Sequence, residues 1–224
     1  MNYDKEKPAP DDKESKGADP VLANALTRVL KDIHSYTNCP SIGIRLKSNG
    51  DYPYYIHDGF SDFFMAKENS LCKRDNEGKI IFDSNGIPIL ECMCGNVLRG
   101  RFDPSFPFFS KKGSFWTNST TQLLQSITPE QRRMIGRTRD TCNHSGYESV
   151  ALLPMQANGE IVGLVQLNDP REDKFTSWKI ERYEVVADMI GQVVIGARSV
   201  SEILTKIHDM VAENDKQQTA RAAR

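Results

Sequence analysis

The sequence predicts an α/β (α+β) fold, a central antiparallel sheet flanked by helices, with a long C-terminal helix. Three patterns predict it. Val21, Leu22, Leu26, Val29, Leu30 and Ile33 recur at helical spacing near the start. "YESVALLPMQ" and "EIVGLVQLND" read as two strands joined by Asn158-Gly159, a two-residue hairpin signal. Tyr183, Val186, Ile190, Val193, Ala197, Val200, Leu204, Ile207 and Val211 then step by three and four residues without a break, the pattern of a long helix that pairs with another.

The remaining elements follow in order. Residues 1–18 alternate Lys, Asp, Glu and Pro with almost nothing apolar, a composition that predicts a disordered tail. Asp19-Pro20 reads as an N-cap followed by proline at the first helical position, and the helix stops before Cys39-Pro40. "SIGIRLK" and "YPYYIHD" alternate as strands around Ser48-Asn49-Gly50, and Gly59 to Lys67 reads as a short helix. "KIIF" and "IPIL" flank Asp83-Ser84-Asn85-Gly86 as a hairpin that delivers the chain to Cys92. From Arg99 to Thr121 the sequence is rich in Gly, Pro, Phe and Ser, a loop around one strand, "GSFWTNS". Thr128-Pro129-Glu130 starts a short basic helix ending near Arg139, and Thr176 caps the last helix, which runs to about Asn214. Residues 19–200 thus form one domain, and residues 201–224 are expected to be the projecting end of the last helix.

Composition narrows the function. The net charge of -1 gives no general attraction to nucleic acid or acidic membranes. No apolar run reaches transmembrane length. The expected compartment is the cytoplasm, where cysteines stay reduced and an odd count of five is ordinary. Clustered cysteines there point to metal, redox or cofactor chemistry.

"YESVALLPMQANGEIVGLVQLND" followed by "FTSWKIERYEVVADMIGQVVIGA" resembles the end of a GAF domain, with "IVGLVQL" in the place of that family's Ile-Gly-hydrophobic strand. The segments "NSLC", "ECMCGNVLRGRFDPSFPFF", "GSFWTNSTTQLL" and "TRDTCNHSGYESVALLP" resemble a narrower GAF subfamily fused to PAS domains and histidine kinases. The resemblance implies a sensory module rather than an enzyme. It also implies a downstream signalling domain or histidine kinase as partner. Related GAF domains of archaeal sensor kinases bind heme through a cysteine. The chain carries no kinase motif of its own.

Cys72, Cys92, Cys94 and Cys142 all fall in these segments. Thiolate is a soft ligand that suits zinc or an iron–sulfur cluster, and tetrahedral zinc needs four donors. Two thiols at C-x-C spacing face one metal if the chain bends at Met93, and Gly95 allows close backbone approach. The pattern equally fits thiols that oxidise reversibly, and cysteines are also common as small core residues. Heme is the rival cofactor; His144, two residues after Cys142, and His57 are the candidate axial ligands. A thiol-dependent enzyme resembling GAF-like methionine sulfoxide reductases is a further alternative. Phe109, Ser114, Phe115, Trp116 and Thr117, in an aromatic stretch interleaved with hydroxyls, are the candidate ligand-pocket residues. The same aromatics suit anchoring of a long loop. The expected assembly is a homodimer joined by the first and last helices.

Overall fold

The computed structural model describes residues 20–222, with side chains through residue 200; the acidic and basic N-terminal stretch lies outside the described residues. Helix α1 (Pro20–Thr37) buries Leu22, Leu26, Leu30 and Ile33, the apolar stripe that the spacing predicts. Asn38, in the left-handed region at φ 51, closes it by donating its N–H to the His34 carbonyl. Strands β1 (Ser41–Leu46) and β2 (Tyr54–Asp58) lead to α2 (Asp62–Glu68), capped by the Ser61 hydroxyl. The segment between α2 and α3 (Cys92–Leu98) is extended and held by isolated bridges, Cys72 to Leu90, Arg74 to Ile80 and Phe82 to Pro88.

Strand β3 (Phe115–Thr117) is followed by three short helices, α4 (Thr120–Ser126), α5 (Pro129–Ile135) and α6 (Thr141–His144). Strands β4 (Ser149–Ala157) and β5 (Glu160–Asp169) form the hairpin, and α7 (Ser177–Ala222) ends the described chain. Both turn residues, Asn158 at φ 53 and Gly159 at φ 80, are left-handed, as a type I′ hairpin requires. The strand order is β2-β1-β5-β4-β3, antiparallel throughout.

Successive side chains of a strand point to opposite faces, and the two faces have different covers. Ile42, Ile44, Ala151, Leu153, Met155, Val165 and Leu167 pack beneath α1 and α7. Val150, Leu152 and Leu164 face the other way, into a second core with Leu71, Leu90, Cys94, Val97 and Phe108. Tyr183, Ala187, Ile190 and Val194 of α7 are buried on the first face. Part of the predicted pairing seam therefore serves the intramolecular core, because α7 lies across β4 and β5 there. Two seam residues, Val193 and Val200, remain exposed, as do Val185 and Met189 beside the seam. The helix has 46 residues, about 69 Å at 1.5 Å per residue, against the roughly 55 Å that the sequence spacing suggests; Leu204, Ile207 and Val211 lie where side chains are not described.

Candidate functional site

A cavity of about 90 Å³ lies between the second face of the sheet and helices α3 to α6. Phe115, Val150 and Leu152 form its sheet side, and Leu123, Ile127 and Ile135 close it from the helices. Cys92, Cys94 and Cys142 are part of its wall, and Glu68 enters from the end of α2. Side chains tie the covering helices together. The Asn143 amide donates to the hydroxyls of Thr120 at 3.0 Å and Thr121 at 2.8 Å, joining α6 to α4. The Glu148 carboxylate accepts from Ser119 Oγ, Thr121 N and Thr121 Oγ1 at the start of α4.

Two of the cysteines are joined through the sheet. Cys94 Sγ donates to Gln166 Oε1 at 3.7 Å, and Gln166 Nε2 donates to Cys142 Sγ at 3.8 Å. Asn168 Nδ2 also points at Cys142 Sγ, at 3.6 Å. Cys92 Sγ accepts from the Arg139 backbone N–H at 3.1 Å, and Cys92 itself stands at φ 61, a conformation that costs a residue with a side chain of order 1 kcal/mol. Cys72 is not among the residues that line this cavity; it is buried in the second core, bridged to Leu90.

The C-x-C pair begins a helix rather than a bent loop, and residues two apart on a helix do not face each other. Among the described residues, no three His, Cys, Asp or Glu side chains are gathered so that they could hold a metal ion. His144 and His57 are exposed, outside the cavity. The donor set therefore does not fit the zinc or iron–sulfur centre expected from four thiols. A porphyrin does not fit either, because even drug-sized ligands take sites of roughly 300–1,000 Å³.

Of the aromatic stretch, Phe115 alone touches this cavity among the five candidate pocket residues. Phe109 and Ser114 are buried in the body, and Phe102, Phe106, Phe108, Phe109 and Phe115 pack against one another at tilted angles as a loop anchor. Trp116 and Thr117 line a separate open hollow of about 320 Å³ with Asn118, Gln122, Glu172 and Asp173.

A family model for the GAF domain matches residues 22–194, from the first helix to the middle of α7. The chain belongs to the GAF domain family. Comparison with curated protein sequences returns no match. Among solved structures, the GAF domain is similar in fold to a domain described as from a two-component sensor histidine kinase protein of Sinorhizobium meliloti 1021, at 12% identity and TM-score 0.51, covering 82% of this chain and 97% of that one. It is similar to the GAF domain of a phosphoenolpyruvate-protein phosphotransferase from Coxiella burnetii, also at 12% identity and TM-score 0.51, over 82% of this chain and 88% of that one. A type II free methionine-R-sulfoxide reductase from Thermoplasma acidophilum is more distant, at 10% identity and TM-score 0.47, over 79% of this chain and 94% of that one. Among the described residues, no helix is long and apolar enough to cross a membrane.

The GAF domain's five cysteines are all free thiols. Burial pushes Cys92 up to about 12, helped by the charge of Glu68. Burial pushes Cys94 up to about 11, against the pull of Arg45. Cys142 is held well above the ordinary thiol value, again chiefly by burial. Cys72 is pushed up to about 11 by burial and by Asp51. These thiols stay protonated at neutral pH in both the folded and unfolded chain. Above pH 9.0, the ordinary value, the unfolded chain loses their protons first and binds fewer than the folded one, so stability falls as pH rises. The urea midpoint is expected to drop steadily between about pH 9 and pH 12, the interval between the ordinary thiol value and the highest raised one, and Cys92→Ala should flatten that slope. An identical slope in wild type and variant would show that Cys92 does not titrate as its burial implies.

Four residues of the GAF site escape a reading by sequence. Arg45, Gln166 and Asn168 are polar members of alternating strands, and all are buried here together with Glu68. The Arg45 guanidinium is fully enclosed, 3.6 Å from the centre of the Tyr54 ring.

Proposed function

We propose that this GAF domain is a sensory module that binds a small ligand in the thiol-walled cavity and passes its state outward through α7. One observation carries the reading: β4 touches both ends of the path. Val150 and Leu152 wall the cavity, while Ala151 and Leu153, on the opposite face of the same strand, belong to the core that holds α7. A ligand that displaces β4 changes the surface on which α7 rests. Such a ligand needs a differential affinity of only a few kcal/mol to shift the balance between two packings.

The raised thiol pKa values support binding over thiol catalysis, since the thiolate is the nucleophile. Five free thiols suit a reducing cytoplasm. The exposed residues Val185, Met189, Val193 and Val200 step by four and seven along α7, a spacing that suits a parallel homodimer. A downstream signalling domain or histidine kinase would receive the output. A thiol redox switch is the second reading, favoured by the Gln166 amide that contacts both Cys94 and Cys142. In it, hydrogen peroxide takes two electrons and two protons from the pair, leaving a disulfide and two waters.

Leu123→Trp fills the cavity and stands in for a bound ligand. The expected result is altered hydrogen exchange of α7 amides beyond Ile190, in a protein that light scattering reports as a dimer. Unchanged α7 exchange in a folded variant would sink the relay, and a monomer in both proteins would sink the pairing.

A further inference from the structure

The occupant of the cavity is marked by Glu68. Its side chain is 5% exposed and lines the cavity, and its Oε1 is buried and receives no hydrogen bond from any protein group. The nearest cation, Arg139, holds Nη1 3.9 Å from that oxygen, beyond hydrogen-bond reach. Arg139 is committed elsewhere. Nη1 donates to the carbonyls of Lys67 and Ser70, Nη2 to that of Cys72, and Nε to Glu91 Oε2. Arg45 donates to the backbone carbonyl of Glu68, not to its carboxylate. A buried carboxylate oxygen without a donor is an acceptor in want of one.

The other charged residues of the wall are Asp140 and Arg132. Asp140 adds a second carboxylate. Arg132 is half-buried and gives Nη1 to the Thr138 hydroxyl at 3.3 Å. The most deeply buried charge in the wall is therefore negative, and most of the remaining wall is apolar, Leu123, Leu124, Ile127, Ile135, Val150 and Leu152 among it, with Thr120, Thr138, Thr141 and Asn143 as its uncharged polar members. An apolar cavity of about 150 Å³ takes a benzene, so a space of about 90 Å³ suits a body of roughly four heavy atoms.

We propose that the cavity binds a compact primary amine, its ammonium donating to Glu68 Oε1 and its short hydrocarbon body lying among the leucines and isoleucines. The inference rests on the ligand-cavity reading above and names the class of ligand. It joins two features of the site, the apolar volume and a carboxylate oxygen that has an ion-pair neighbour in Arg139 but receives no hydrogen bond from a protein group.

Isobutylamine, isobutanol and isobutyrate share one body and differ in the head group. Titrated calorimetrically at pH 7 into the full chain, the amine is expected to bind at least tenfold more tightly than the alcohol, and isobutyrate not at all. Glu68→Gln keeps the shape of the side chain and should weaken the amine at least tenfold while leaving the alcohol unchanged. Because the three probes are first ranked on the wild-type protein, the test does not depend on the variant folding. Equal binding of amine and alcohol, or tighter binding of isobutyrate, would overturn the amine assignment while leaving a ligand cavity. Binding of none of the three would overturn the assignment and the cavity reading together.

Discussion

Replacing Arg45 by Met is expected to cost about 3–4 kcal/mol of stability, among the larger effects of a single substitution. The residue is fully buried. Nη1 donates to the carbonyls of Tyr52 at 2.9 Å and Asn69 at 3.1 Å, and Nη2 to that of Glu68 at 2.7 Å. Glu68 and Asn69 end α2, so the guanidinium supplies donors to carbonyls that a helix C-terminus leaves unpaired, and its charge complements the helix dipole there. Methionine has a similar reach and would fill most of the volume. The loss then comes from three carbonyls stripped of charged donors, not from a void. Lysine retains the charge but presents no planar fork, and should recover only part of the loss. With a slope near 2 kcal/mol per molar, the urea midpoint of Arg45→Met should fall by roughly 1.5–2 M. A fall of less than about 0.5 M, by the same slope, would mean that these carbonyls find other partners. Because Arg45 also fixes the backbone of Glu68, amine binding should weaken in any Arg45 variant that remains folded.

Arg45 shows where reading the sequence stops. The alternation of "SIGIRL" identifies a strand, and the strand is there. The same alternation assigns Arg45 to the wetter face, yet all six residues of β1 are buried. Alternation reports that the two faces differ in polarity; it does not report what covers them. Here the cover of the second face comes from residues 70–144, whose short helices and isolated bridges have little periodicity. Helices α4 and α6 have seven and four residues, too short to show a pattern of 3.6. The hairpin β4–β5 and helices α1 and α7 were legible because each is long and carries a strong turn, cap or stripe. The cysteines were legible as a cluster, and three of them do line one cavity. Their separation from Cys72 was not, because it depends on which side of the Cys72–Leu90 bridge each thiol lies. The heptad in α7 likewise marks an apolar face, but its spacing predicts pairing with a second helix, and spacing alone does not distinguish a helix from a sheet as the receiver. Tyr183, Ala187 and Ile190 meet the sheet.

Gly95→Val is expected to destabilise the domain by about 3 kcal/mol and to make Cys94 react with a thiol reagent at least tenfold faster. In an exposed helix, replacing glycine by a residue with a side chain gains up to about 1 kcal/mol from backbone propensity. Gly95 lies inside α3, so that gain opposes the prediction and has to be outweighed. A Cβ on Gly95 would stand 2.8 Å from Leu90 Cβ, 2.9 Å from the Leu90 carbonyl carbon and 3.0 Å from its oxygen. Two of these three atoms are backbone, and Leu90 is pinned by its bridge to Cys72, so the neighbour has little room to give. Valine adds branching at Cβ and forfeits most of the propensity gain. The helix must therefore move away from Leu90, and α3 carries Cys92 and Cys94 with it. Cys94 Sγ, now held 3.7 Å from Gln166 Oε1 and 5% exposed, would lose both its partner and its cover. Labelling followed by peptide mass analysis separates the two contributions. A variant that is less stable globally but labels Cys39 and Cys94 at rates raised alike has only unfolded more often. Selective acceleration at Cys94, with Cys39 still protected in the α1 core, is the expected outcome. It would show that the packing of Gly95 on Leu90 seats the thiols in the cavity wall. A Gly95→Val protein as stable as wild type, with Cys94 equally slow to react, would mean that α3 tolerates displacement and that this close approach does not position the site.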